Sequence, residues 1–369
     1  ERCEGTINNS SPKLKKYGEE KKQEVVSLAT NLNLSYGSTN FCIMESFPEN
    51  LTYIIPSINM FEGFSFSLNG YESKVFWDIR EVEDTDGYIT RLYEEYGNKG
   101  IRNFDKAIAL MKLEPVYKAL DAIKKPSTLS ILSKIVEGKA TKEEERELLL
   151  NLAEAYSMLY ETYSTMEEAT KGQIGIAPKD VNPQPVIKFI HYLGKAFGKK
   201  GPKVFPSWAS TDTTIPIIIA SALTLIPFSD EKKPKTLMTI ADRLMLTEFF
   251  AKELGALCLD DNKKKEVIHL SALFLSSTML IRDELTEAKP LDTLSCLLND
   301  DSVMNLAQCN EYQDVVWYNK ESMQKIILVI TLAFALSKER KTKEIDLFAR
   351  ELLEKEFKSG YKLSTLLKS

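Results

Sequence analysis

Residues 141–165 read TKEEERELLLNLAEAYSMLYETYST, and their periodicity sets the character of most of the chain. Leu148, Leu152, Ala155, Leu159 and Tyr163 recur every three or four positions, which predicts one buried face of a long helix. Thr141 stands where a side-chain oxygen can cap the free amide groups of a first turn. The glutamates after it lie where the helix dipole favours negative charge.

Toward the C-terminus, glycines and prolines cluster in GQIG, AP and NPQP, so residues 171–185 are expected to form a hinge. A further helix is expected around Ile187, Ile190, His191 and Phe197, closed by the Gly/Pro break between Gly198 and Pro206. Beyond it the apolar spacing predicts helices over 215–225, 237–259, 264–280, 291–298, 320–336 and 343–357. Their short connections favour antiparallel packing.

Toward the N-terminus, Ile89, Leu92, Tyr93 and Tyr96 form one helical face ended by Gly97, and Ile108 and Met111 mark another within 103–113. Before Asp84 the period shortens. Residues 41–44, 51–55, 63–68 and 74–79 are short runs rich in β-branched and aromatic residues. In one of them Phe64, Phe66 and Leu68 alternate with serines, as a half-buried strand requires. Asn69-Gly70 suits a tight turn. One short helix is expected between Glu19 and Leu32 from the stripe Val25, Val26, Ala29, Leu32. The fold class expected is mainly α, with a small antiparallel β-rich domain over 1–86 and a large antiparallel helical domain over 87–369.

Composition bounds the function. The chain is 43% hydrophobic and 27% charged, proportions that suit a packed core rather than disorder. With 48 Lys plus Arg against 53 Asp plus Glu, it offers no global basic field for a phosphate backbone, so no nucleic-acid partner is expected. The runs 214–228 and 326–336 are too short for a spanning helix, which needs about 20 apolar residues, so no membrane partner is expected and both runs are assigned to buried core helices. Five cysteines without a CxxC pair signal neither a redox centre nor a zinc site, and Cys258 and Cys296, set in apolar patterns, are expected to be buried thiols. That usage favours a reducing, cytoplasmic setting. The chain begins ERCEG, without an initiator methionine or a signal-peptide pattern, so a piece of a longer product is one expectation.

Candidate chemistry is sparse. The two histidines, His191 and His269, fall in different predicted helices; Glu266 and His269 share a helix face, but no second Glu-x-x-His pair completes a di-metal set, so an interhelical histidine is expected. No phosphate-binding glycine motif, nucleophile elbow or catalytic triad is present, and no catalytic, cofactor-binding or metal-binding residue is assigned. The most distinctive segment is 311–321, EYQDVVWYNKE. Trp317 and Tyr318 precede Asn319, a cap for the helix starting at Lys320, and this aromatic pair, with Trp208, is the candidate surface for a carbohydrate or a partner side chain. The plainer reading is a hydrophobic staple.

One resemblance joins these segments. Phe41-Cys42-Ile43, Leu51-Thr52-Tyr53-Ile54, the strand ending at Leu68 and residues 71–82, YESKVFWDIREV, resemble the β-domain that follows the catalytic barrel in a bacterial branch of the alpha-amylase superfamily of glycoside hydrolases. Leu113-Glu114-Pro115-Val116 and residues 316–321 look like the helical tail such enzymes append. The resemblance implies a parent acting on alpha-linked glucans, with an aspartate nucleophile and a glutamate acid/base on its barrel. This chain has no Asn-His or His-Asp dipeptide and no βα repeats, and a barrel needs about 250 residues. The expectation is therefore a non-catalytic carboxyl-terminal portion that docks to a barrel or binds polysaccharide. The alternative is an independent helical interaction scaffold without enzymatic activity; an active helical enzyme would need converging carboxylates that the sequence does not display.

Overall fold

The computed structural model describes residues 2–17, 20–179, 181, 214–229, 233–283, 289–337 and 341–368. The chain is mainly α, with small antiparallel sheets at the N-terminal end followed by helices. It divides into two units, Glu1–Glu114 and Pro115–Ser369.

The first unit is built on β4 (Asn40–Phe47), which pairs antiparallel with β5 (Leu51–Pro56) on one side and β7 (Val75–Glu83) on the other. Residues 41–44 read as an unbroken apolar run because β4 is buried on both faces. Cys42 and Met44 pack with Ala29, Met60 and Phe64, while Phe41 and Ile43 pack with Ile54, Ile89, Leu92 and Ile101. Burial pushes the Cys42 thiol up to about 12, with the Glu81 charge adding to it, so this cysteine is inert at neutral pH.

The first of these clusters is roofed by a two-stranded ribbon of β1 (Arg2–Ile7) and β6 (Phe64–Asn69). Phe64 is buried and Ser65 exposed, as the alternation predicts. Asn69-Gly70 does form a turn, closed by Glu72 N–H donating to Asn69 O at 3.1 Å, but β6 pairs with distant β1 rather than with β7. Gly63 makes that pairing possible. It sits at φ +112°, and a Cβ there would stand 2.0 Å from Asn8 Oδ1. A second ribbon, β2 (Lys13–Tyr17) with β3 (Glu20–Glu24), occupies part of the stretch expected to be helical, and the helix is confined to α1 (Leu28–Asn31). Its composition carries little β propensity; Lys15 reaches Glu24 at 2.8 Å, while the register sets Lys15 opposite Lys22 and Lys16 opposite Lys21.

The other face of β4 is covered by α2 (Tyr88–Tyr96) and the first part of α3 (Phe104–Lys124). The buried Asp84 carboxylate caps α2, accepting from Ile89 N at 3.1 Å and Thr90 N at 2.9 Å. On β7, Glu81 accepts from the Ser35 amide at 2.7 Å and from the Ser35 and Ser57 hydroxyls at 2.8 Å, tying two loops to the sheet.

In the second unit α4 (Pro126–Val136) is followed by α5 (Lys142–Thr165), whose buried residues are Leu148, Leu152, Ala155, Tyr156 and Leu159. Thr141 and Glu144 form a reciprocal capping box, at 3.2 and 2.9 Å. Helix α6 (Glu168–Ile174) closes at Gly175 (φ +77°); residues 180 and 182–185 of the expected hinge, and the helix expected around His191, lie outside the described residues.

Helix α7 (Ile215–Leu225) is buried on all sides, its positions after Pro216 without exception. The expected single helix over 237–259 is instead α8 (Pro234–Arg243), α9 (Leu246–Phe249) and α10 (Ala251–Gly255), because Met245 takes a left-handed φ of +48° between buried Leu244 and Leu246. Helix α11 (Asp261–Asp283) packs against α7, α8 and α14 (Lys320–Ser337), and α14 against α15 (Thr342–Lys358), where Phe334 and Phe348 stack at 3.9 Å. Between them lie α12 (Pro290–Leu298) and α13 (Asp301–Leu306), and α16 (Leu363–Leu366) follows α15.

Both apolar runs are core segments, and no helix among the described residues is long and apolar enough to cross a membrane. Cys258 and Cys296 correct the expectation of buried thiols, since both are exposed. Cys258 falls beyond the end of α10 at φ +54°. Cys296 lies off the buried stripe of α12, which runs through Thr293, Leu294, Leu297 and Leu298.

Candidate functional site

Trp317 and Tyr318 sit at the end of a hairpin that the periodicity does not show. Strands β8 (Asn310–Tyr312) and β9 (Val315–Trp317) are joined by Gln313 and Asp314, at φ +50° and +58°. That is the two-residue turn with both φ values positive, made here without the usual Asn-Gly. Tyr318 is buried. Its hydroxyl pairs with Ser359 Oγ and reaches Glu356 O at 3.3 Å, its amide donates to Tyr361 O at 3.1 Å, and its ring meets Tyr361 edge-on. Trp317 is half-buried under Lys362, whose ammonium lies 5.2 Å from the ring centroid, and its covered indole N–H has no hydrogen-bond partner. Asn319 caps α14, accepting from Ser322 N at 3.0 Å. The pair therefore locks the start of α14 to the end of α15, while Trp208 lies outside the described residues.

His269 lies in a polar pocket of about 330 Å³ lined from α8, α11 and α13. Its Nε2 is 3.1 Å from Asp242 Oδ1, and Lys265 stands 3.4 Å from the other oxygen of that carboxylate. Burial alone would raise the Asp242 carboxyl, but the hydrogen bond and charge of His269, with Lys265, hold it below its usual range. Glu266 turns away to Lys325, at 2.8 Å. The Glu266/His269 pair thus serves two separate interhelical ties. Among the described residues no group of three or more His, Cys, Asp or Glu side chains could hold a metal ion.

The small unit presents two further surfaces. The first is the part of the sheet that α2 leaves bare. Pairing places Phe47 opposite Val75, and Glu45 opposite Trp77, on the β4 face that carries Phe41 and Ile43. Phe41 and Ile43 are buried beneath the helices, whereas Phe47, Val75 and Trp77 are 59%, 56% and 55% exposed. Ile79, past a bulge at Asp78 (φ +46°), is also exposed. Strand β7 is the edge of its sheet, with no partner on its outer side among the described residues. Its apolar pattern continues beyond the helices that would satisfy it, where an edge strand is ordinarily charged or short.

The second surface is a groove of about 800 Å³ that draws its lining from both the β1–β6 ribbon and the β5-β4-β7 sheet. Tyr53, Phe66 and Phe76 line it together with Arg2, Glu4 and Lys74. Phe76 stands edge-on to Tyr53 and to Phe64, at centroid distances of 5.6 and 4.7 Å. Lys74 pairs with Glu49 at 2.9 Å and lies 5.7 Å from the Tyr53 ring centroid. This pair and the Tyr53 hydroxyl keep the Glu49 carboxyl below its usual range. Neither surface was legible as a site in the sequence, because each depends on which side of the sheet the ribbon and α2 cover.

Comparison of the chain with protein-family models, with curated proteins and with solved structures gives no match.

Proposed function

We propose that this chain is the non-catalytic carboxyl-terminal portion of an alpha-glucan-active glycoside hydrolase, and that it docks to the catalytic barrel through the bare end of its small sheet. The observation that carries the reading is the exposure of Phe47, Val75 and Trp77 on a face whose other apolar residues are buried. More than half of two aromatic rings and a valine amounts to roughly 300 Å² of apolar surface, and covering it is worth on the order of 7 kcal/mol before the costs of association. A patch of that size falls within the range of the largest apolar patch on an ordinary monomer, which is often functional. The resemblance of residues 41–82 to a domain that follows a barrel supplies the identity of the partner.

A photo-cross-linking amino acid at Trp77, introduced in the source cells and followed by mass spectrometry, tests the reading. A cross-link to a barrel bearing a paired aspartate and glutamate is expected, either on a second polypeptide or within one polypeptide much heavier than 41.9 kDa. A native species of 41.9 kDa that cross-links to no barrel would overturn it and leave the independent scaffold.

A further inference from the structure

Val75, Phe76 and Trp77 join two features that proteins seldom leave together at the edge of a sheet. Their side chains are apolar and of high β propensity, and their backbone is paired on one side only. Strand β7 bonds to β4 and to no other strand among the described residues, and the backbone of residues 75–78 makes no other hydrogen bond there. Every second residue of an antiparallel strand turns its N–H and C=O away from its partner, so this edge offers unpaired donors and acceptors beside exposed Val75 and Trp77. The devices that usually guard an edge stand only at its ends. Lys74 is folded back onto Glu49 at 2.9 Å, and Asp78 turns the backbone to φ +46° where the register with β4 shifts. Between them the strand carries no charge, proline or bulge.

An apolar face alone is satisfied by any apolar surface. An unpaired strand backbone covered at the same time needs groups that donate and accept at strand spacing, which another strand supplies. We infer that the partner of the docking reading, on which this inference rests, is received as an added β-strand: an extended segment of the barrel-bearing polypeptide pairs with residues 75–77 on the outer side of β7. Two apolar residues of that segment, separated by one, stand beside Val75 and Trp77, and the residue between them lies on the Phe76 side. The shift at Asp78 ends the pairing after Trp77. A second copy of this chain meeting the edge would bury only the same patch on each side, roughly 300 Å² against the roughly 800 Å² per partner of a stable interface. A segment tethered in the same polypeptide is held over a smaller area, because its pairing is intramolecular.

Photo-cross-linking amino acids placed singly at Val75 and at Trp77 in the source cells, with the linked residues identified by mass spectrometry, test the inference together with hydrogen exchange of the native assembly. The two positions are expected to reach residues two apart on one extended partner segment. Exchange over residues 75–78 is expected to slow about tenfold or more in the assembly relative to the isolated chain. Cross-links to barrel residues far apart in sequence, or exchange that slows by less than this, would overturn strand addition and leave the docking reading standing. Cross-links to a second copy of this chain, or to nothing, would overturn both.

Discussion

Asp84→Ala isolates the link between the sheet and its covering helices. The carboxylate is buried at the end of β7 and accepts from Ile89 N, Thr90 N and Thr90 Oγ1, so it caps α2 through several charge-assisted bonds at once. Loss of an ordinary N-cap costs up to about 2 kcal/mol, and hydrogen bonds to a charged group about 1.5–3 kcal/mol each, though not additively, since the freed amides recover water. A local destabilisation of about 2–3 kcal/mol follows, equivalent to amide exchange faster by about 30- to 150-fold. Hydrogen-exchange mass spectrometry over Tyr88–Tyr96 at pH 7 reads it directly, and Asp84→Asn should fall between the variant and the parent. The pH dependence has a fixed direction. Burial raises the Asp84 carboxyl, but the Thr90, Ile89 and Gly87 bonds outweigh it and hold the group below 3.8. The stabilisation is therefore complete above the unfolded value and lost as pH falls through the lower folded one. Exchange in Asp84→Ala within about threefold of the parent at pH 7 would refute this account of the cap.

Thr141→Ala removes the side-chain acceptor of the capping box on α5, leaving the Thr141 amide bond to Glu144, and should cost about 1 kcal/mol in urea-induced unfolding. Leu152→Ala, at a fully buried position in the middle of the same helix, should cost about 2–5 kcal/mol by the same measurement, and a loss under 1 kcal/mol would mean that the α5 face is not a packed core. Tyr318→Phe leaves the ring and removes the hydroxyl that holds Ser359 and Glu356 O; unfolding followed by Trp317 fluorescence should show a loss of about 1–2 kcal/mol.

The parts of the fold legible in the sequence are those decided by local period. Residues 148–159 carry a helix pattern so regular that its buried face could be named in advance, whereas over 64–68 the expected alternation holds for buried Phe64 and exposed Ser65 while Phe66, Ser67 and Leu68 are all half-buried. Pairing was not legible, because it is set by distant partners: β6 crosses to β1 although Asn69-Gly70 offers a hairpin to β7. Nor was the break at Met245, since Leu244, Leu246, Phe249 and Phe250 are all buried whether or not the backbone turns between them. The ribbon at 13–24 was missed for the opposite reason, having charged residues in place of apolar alternation. Among the candidate site residues, Trp317 and Tyr318 drew notice as large aromatics at a helix start, yet Tyr318 is spent on internal bonds.

The patch and the groove meet on a single strand. Phe76 and Trp77 are consecutive on β7, and the alternation of a strand sends the first toward the ribbon and the groove and the second to the bare outer face. Both share the backbone of an edge strand that pairs only with β4 among the described strands and carries a bulge beside Trp77. The bulge at Asp78 also ends the exposed apolar register just before Arg80 and Glu81 resume pairing with Ile43 and Cys42. Beyond that point the strand is occupied in holding loops and α2 in place, and only its first half is left open to other molecules.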